Sequence, residues 1–165
     1  MKPALLVLDP QNDFFEDDNP NLAGFKASIG VINSLVAESH RQGWPVVVIQ
    51  QTGPKKPAGS PAWQVYPAFQ FAPTDTFMQK TKQNAFWQTP LEEFLRSKGV
   101  DSIFLAGYAA EFCILTTFRG ACEREFTTWI IKGAVAAFTP KYTAFVYDIC
   151  KTIPPEKMTS VLTGK

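Results

Sequence analysis

Ile103-Phe-Leu-Ala-Gly-Tyr-Ala-Ala-Glu-Phe-Cys113-Ile-Leu-Thr-Thr-Phe-Arg-Gly-Ala-Cys122 begins as a short apolar run and passes directly into a helical pattern. The spacing predicts a strand over 102–107 and a helix over 113–124. Outward from this stretch the same alternation recurs. Strands are predicted at 4–9, 45–50 and 127–131, an extended piece at 76–80, and helices at 28–42, 90–98 and 141–150. In the helix 28–42, Ile29, Ile32, Leu35, Val36 and Ser39 share one side, and Gly43-Trp44-Pro45 then turns the chain into Val46-Val-Val-Ile49, a βαβ crossover. Strands alternating with helices predict an α/β fold: a single-domain three-layer α/β/α sandwich over residues 1–165 with a mainly parallel, doubly wound, Rossmann-like sheet. The first strand is followed by Pro10-Gln11-Asn12-Asp13 and not by a glycine-rich loop, which disfavours nucleotide binding.

Cys113 falls where the strand hands over to the helix. A thiol in the first helical turn meets unpaired backbone N–H groups and the positive end of the dipole, which favour thiolate and can hold an oxyanion. The alternative is a small core side chain. Ala4-Leu-Leu-Val-Leu-Asp9 reads as a buried strand that delivers Asp9 to its carboxyl end, the edge at which open parallel sheets bind ligands. Thr89-Pro90-Leu91-Glu92 reads as a capping box with proline at the first helical position, so Lys80 lies at the end of the short extended stretch before that helix, with Lys82 two residues on. Spacing alone does not choose between the two lysines. Phe14, Phe86, Trp87, Tyr108 and Phe112 flank these segments and are candidates for the walls of a small apolar substrate pocket.

Composition narrows the function. Lys plus Arg (16) against Asp plus Glu (15) gives +1, with no basic patch for nucleic acid and no polybasic cluster for membranes, so the expected partner is a small-molecule substrate. The three cysteines, at 113, 122 and 150, have no CxxC spacing, and a signal-peptide pattern is missing, which points to a reducing cytoplasm. The one histidine, His40, lies near the end of a predicted helix, remote from strand ends, so a Cys-His mechanism has no base. A metal site is not expected, and no cofactor is expected. Cys122, nine residues beyond Cys113, should face half a turn away from it.

Taken together, Asp9-Pro-Gln-Asn-Asp-Phe14, Lys80-Thr-Lys-Gln-Asn-Ala-Phe86 and Gly107-Tyr-Ala-Ala-Glu-Phe-Cys113 resemble, in order, the signatures of the isochorismatase-like cysteine hydrolases, the family of nicotinamidases, carbamoylsarcosine amidohydrolases and ureidoacrylate amidohydrolases. The resemblance runs from about Ala4 to Phe138. Its Phe86 register selects Lys80 over Lys82. It implies a triad of Asp9 as general base, Lys80 as orienting cation and Cys113 as nucleophile. It also implies a cis peptide at Tyr108–Ala109, an oxyanion hole from the Ala109 and Cys113 amides, and a homo-oligomer with a dimer as its smallest unit.

The activity so implied is C–N hydrolysis of a small amide, carbamoyl or ureido compound through an acyl-enzyme. The alternatives are vinyl-ether cleavage of isochorismate and a non-catalytic binding protein on the same fold. Two departures stand out. Metal-binding relatives carry Asp and His after the second strand, where this chain has Gln50-Gln51-Thr52, and the Asp-Ala pair after the fifth strand is replaced by Lys132-Gly133-Ala134. The four arginines, 41, 96, 119 and 124, fall on predicted helices, so a carboxylate clamp is not evident. Lys55, Lys56 or Lys82 could replace it, and an uncharged, fairly apolar substrate is expected. Between Gln51 and Asp75, five prolines and the aromatics Trp63, Tyr66, Phe69 and Phe71 suggest a lid, a subunit contact or a satellite apolar cluster. The tail 151–165 is expected to be partly loose.

Overall fold

Six parallel strands run through the centre of the molecule: β1 (Pro3–Leu8), β2 (Val46–Gln51), β3 (Thr76–Lys80), β4 (Ser102–Tyr108), β5 (Thr127–Ala136) and β6 (Thr152–Ile153). They lie in the order β3-β2-β1-β4-β5-β6. The computed structural model describes residues 1–162. In β1 every residue is buried, and the period of two sends Leu5 and Val7 to one face and Ala4, Leu6 and Leu8 to the other. The first face packs against α1 (Leu22–Gln42) through Phe25, Ile32, Leu35 and Val36. The second packs against α2 (Leu91–Ser97), α3 (Leu115–Glu123) and α4 (Pro140–Ile149) through Leu91, Leu95, Phe118, Ala121 and Val146. The result is the three-layer α/β/α arrangement that the alternation predicts.

The differences from the expected boundaries have local causes. Helix α1 begins at Leu22 and not near Ser28. The Ser28 hydroxyl lies inside the helix, where it donates to the Phe25 carbonyl at 2.8 Å and meets the Tyr108 hydroxyl at 2.5 Å. Helix α2 starts at Leu91, after Pro90; the Thr89 hydroxyl accepts the Leu91 N–H at 3.4 Å while donating back to the Ala85 carbonyl at 2.5 Å. Cys113 precedes α3, in a π-helical turn over Ala110–Ile114. β5 runs on to Ala136, beyond the expected 131. While β4 advances from Leu105 to Gly107, β5 advances from Ile130 to Val135, and the intervening bulge turns Lys132 and Gly133 outward. The tail is ordered as far as it is described: Ile153 pairs with Ile131, and Met158 is buried against the α1 face. Residues 163–165 lie outside the described part.

The aromatics of 51–75 fold back onto their own chain. Tyr66 stacks on Phe15 with ring centroids 4.2 Å apart, Phe69 is buried against the α1 face and stacks on Phe71, and Gln11 and Val65 form an isolated bridge. This is the satellite-cluster arrangement.

Gly107 fixes how closely β4 can approach β1. Its φ is +110°, and a Cβ there would collide with the backbone of Leu8. Gly107→Ala is therefore expected to cost about 3 kcal/mol or more of folding stability, measured by urea unfolding, because both the backbone conformation and the contact are lost.

Candidate active site

The strand order reverses direction at β1/β4, the position where open parallel sheets leave a crevice beyond their carboxyl ends. Asp9 follows β1, Lys80 is the last residue of β3, and Cys113 lies in the turn after β4. The three side chains converge. Lys80 Nζ is 2.9 Å from Asp9 Oδ2 and 3.1 Å from Cys113 Sγ, and it donates to Gln51 Oε1 at 2.6 Å. Lys80 starts two strands away from β1, so its long stem lies buried across the end of β2 with its ammonium between the other two groups. Lys82, two residues on, is exposed and takes no part in this cluster.

Buried polar side chains hold the cluster in place. Gln11 donates to the carbonyls of Gln51 (3.0 Å) and Trp63 (2.8 Å), and its own carbonyl oxygen accepts the Gln51 N–H at 2.9 Å. The end of β1, the end of β2 and the 60s segment are thus tied together. Gln51 then accepts from Lys80, so the brace reaches the ammonium directly. Asp9 itself has φ of +51°, its N–H donates to Ile49 O at 2.7 Å, and its carbonyl accepts the Gln11 N–H at 2.8 Å. Such a non-glycine conformation costs of order 1–3 kcal/mol and persists only where its surroundings enforce it. Sequence reading picked out Asp9, Lys80 and Cys113 but missed Gln51. Its signal was two glutamines ending an otherwise apolar strand.

The electrostatics correct the expectation of a resting thiolate. Burial pushes the Cys113 thiol up, the negative charge of Asp9 pushes it further, and Lys80 offsets only part, leaving it at about 12. At neutral pH the thiol keeps its proton. It lies within hydrogen-bonding reach of Asp9, whose Oδ2 pairs with the Lys80 ammonium at 2.9 Å. Among the described residues, the other carboxylate oxygen, Oδ1, is buried without a hydrogen-bond partner.

An open cleft of ≈ 700 Å³ lies against Cys113, with Gln51, Lys82, Asn84, Trp87, Phe112 and Thr116 among its walls. Of the five aromatics proposed from sequence, Trp87 and Phe112 line this cleft. Tyr108 is wholly buried with its hydroxyl on Ser28, Phe86 packs on Phe126 beneath α3, and Phe14 sits among Phe25, Tyr108 and Phe138. Those three shape the floor and core and do not line the cleft. The Tyr108–Ala109 peptide is cis, and the Ala109 carbonyl accepts the N–H groups of Phe112 and Ile114, which folds the Cys113 turn back on itself. Glu111 Oε1 accepts the Phe138 N–H at 3.0 Å, anchoring the same turn to the segment after β5.

The end of β2, where metal-binding relatives carry their ligands, is already committed: Gln50 donates to the Trp63 carbonyl at 3.0 Å and Gln51 holds Lys80. Among the described residues no group of three His, Cys, Asp or Glu side chains could hold a metal ion. His40 pairs with Asp75 at 2.7 Å, away from the cleft, and Cys122 is exposed on α3. These donor types do not fit a metal centre beside Cys113. No helix among the described residues is long and apolar enough to cross a membrane.

The isochorismatase domain family matches residues 3–157, and the chain belongs to that family. It is similar to the uncharacterized isochorismatase family protein YrdC of Bacillus subtilis strain 168, at 28% identity over 142 residues covering 83% of this chain and 75% of that one. An isochorismatase family protein from Desulfovibrio vulgaris superposes with a TM-score of 0.90, at 23% identity and 98% coverage of both chains. N-carbamoylsarcosine amidase from Thermoplasma acidophilum superposes with a TM-score of 0.83, at 24% identity, covering 96% of this chain and 99% of that one.

The environment of Cys113 gives a signed expectation. Alkylation of Cys113 by iodoacetamide should keep rising with pH past the ordinary thiol range near 8.5, with no plateau there. Asp9→Asn removes two influences that raise the thiol and leaves Lys80 beside it, so the inflection should move down and alkylation at neutral pH should speed up. Peptide mapping by mass spectrometry, with Cys122 as internal reference, checks both.

Proposed function

We propose that this isochorismatase-family hydrolase cleaves the C–N bond of a small amide, carbamoyl or ureido compound, with Cys113 as nucleophile, Asp9 as proton carrier and Lys80 as the cation that keeps both in play. The observation that carries this reading is the single ammonium at 2.9 Å from a buried carboxylate and 3.1 Å from a buried thiol, at the edge of an open cleft. The fold shared with an N-carbamoylsarcosine amidase is in keeping with it.

In the proposed cycle the thiol proton passes to Asp9 as Sγ bonds to the substrate carbonyl carbon. The negative charge that leaves the carboxylate reappears on the substrate oxygen, where the Ala109 and Cys113 amides would receive it. Collapse breaks the C–N bond, and Asp9 returns its proton to the departing nitrogen, which leaves as ammonia or an amine. Asp9 then takes a proton from water, whose oxygen attacks the thioester. The acid leaves and Sγ recovers its proton from Asp9. The ammonium of Lys80 offsets the negative charge wherever it resides, so the sum of charge in the buried cluster changes little along the path. A thiol held neutral at rest suits this cycle, since the proton moves only when a substrate carbonyl is there to take the new bond.

A screen of small amides, ureas and isochorismate, reading ammonia and pyruvate release, tests the reaction class: ammonia release is the expected result, and pyruvate release from isochorismate alone would replace it with vinyl-ether cleavage. Asp9→Asn, Lys80→Ala and Cys113→Ala should each lower kcat by about 10³-fold or more, and the double variants should lose little beyond the singles, because the three groups act on one proton transfer. Cys113→Ala should also abolish the acyl adduct trapped by mass spectrometry. With both glutamines at the end of β2 committed to hydrogen bonds, turnover is expected to survive EDTA and exhaustive dialysis, measured as ammonia release before and after.

A further inference from the structure

We propose that Lys82 determines specificity at the mouth of the Cys113 cleft by holding a carboxylate on the substrate, so that the preferred substrates are amides or ureides of small organic acids. This rests on the amidohydrolase reading above for the identity of the scissile bond, but not for the anion site itself. It replaces the uncharged substrate expected from sequence alone.

Charge is distributed very unevenly around the cleft. Among the described residues that line it, Lys82 is the one side chain with a formal charge, the others being amides, hydroxyls, two aromatics and the thiol. Lys80 cannot serve a substrate anion, because its ammonium is already shared among Asp9, Gln51 and Cys113. Among the described residues Lys82 pairs with no carboxylate.

The two other lysines considered from sequence belong to a neighbouring cleft that meets this one at Gln51 and Thr81. There Lys56 is bound to Asp13 at 2.6 Å and lies over the Phe14 ring, and Lys55 shares the walls with Asp13 and Glu16, whose carboxylates oppose an incoming anion. A negative ligand therefore finds an unopposed cation in the Cys113 lobe alone.

The segment that carries Lys82 is also fixed in place, which a specificity group needs if it is to set distance to the reacting carbon. Thr117 on α3 receives the Ala85 N–H at 3.0 Å and donates to the Gln83 carbonyl at 3.2 Å, and Thr116 donates to Gln83 Oε1 at 3.3 Å. Asn84 lies so close to Gly120 that any side chain there would displace it. The 83–85 stretch is thus clamped to the helix that follows Cys113, which fixes the backbone from which Lys82 projects relative to the nucleophile. Trp87 and Phe112 supply apolar surface for the short carbon frame between a carboxylate at Lys82 and a carbonyl at Cys113.

The test compares N-carbamoylglycine with hydroxyethylurea, which share the ureido group but differ in charge. Binding is read by calorimetry on Cys113→Ala protein, where no turnover intervenes. N-carbamoylglycine should bind about tenfold to a hundredfold more tightly at low ionic strength, the range for one charge-assisted contact, with the gap narrowing as salt is added. Adding Lys82→Ala should close the gap, Lys82→Arg should keep most of it, and Lys55→Ala should leave it in place. Equal binding of the two compounds, no binding of either, or a gap that survives Lys82→Ala would overturn the proposal. If the gap depends on Lys82 but the unsubstituted enzyme releases no ammonia from N-carbamoylglycine or from any other ureido acid or amide acid, the anion site stands and the amidohydrolase reading falls.

Discussion

Burying the Lys80 ammonium against the Asp9 carboxylate is the most expensive thing this fold does. Each ion loses several kcal/mol of hydration even after relaxation, and the mutual attraction repays that only with good geometry and satisfied neighbours. The pair is wholly enclosed, with 0% of either side chain exposed. Much of the surrounding architecture can be read as the means of holding it. Gln51 takes one of the ammonium's donors, Gln11 ties Gln51 to the β1 end, and Asp9 is kept in a left-handed conformation by backbone bonds to Ile49 on β2 and to Gln11. A sheet whose three relevant strands all end on the same edge makes that concentration of polar groups possible, because only strand ends bring side chains from distant parts of a chain together without unpairing the ladder.

Placing a neutral thiol beside that pair makes a site whose parts depend on one another. A thiol at the start of an ordinary helix would be poised by the dipole. Here burial and the Asp9 charge outweigh the helix end and Lys80, so the proton stays on sulfur. The helix contributes in another way: the π-helical turn, pinned by the Ala109 carbonyl and by Glu111, sets the position of Sγ relative to the ammonium. Position and proton affinity are therefore controlled by different elements, the first by the turn after β4 and the second by the ends of β1 and β3.

The aromatic side chains divide between support and access. Phe14, Phe15, Phe25, Tyr66, Phe69 and Tyr108 make a continuous stacked and edge-on cluster on the α1 face, and through it the aromatics of the proline-rich 51–75 segment pack onto the core. Trp87 and Phe112 stand on the other side of the nucleophile and remain about half exposed, at 51% and 45%. The cleft is thus firm on the floor and open at the rim, where Lys82 stands.

The apolar alternation of Leu5 to Leu8, Val46 to Ile49 and Ile103 to Ala106 determined the parallel sheet and its two helical layers, because strands buried on both faces admit little else. The same sequence placed Asp9, Lys80 and Cys113 at or just beyond strand ends, since a polar residue that stops an apolar run must lie where the run meets solvent or a site. Sequence could not settle which flanking aromatics faced the cleft: Phe86 and Trp87 are adjacent, yet one is buried under α3 and the other lines the opening. It started the first helix near Ser28, whereas α1 begins at Leu22 and Ser28 lies inside it with its hydroxyl on the Phe25 carbonyl. It also took a thiol at a helix start for a thiolate. Proton affinity depends on the sum of burial and charge from every element that packs around the atom, and the carboxylate that counts most here arrives from 104 residues away along the chain, from Asp9 to Cys113. That sum exists only once the sheet has brought the strand ends together.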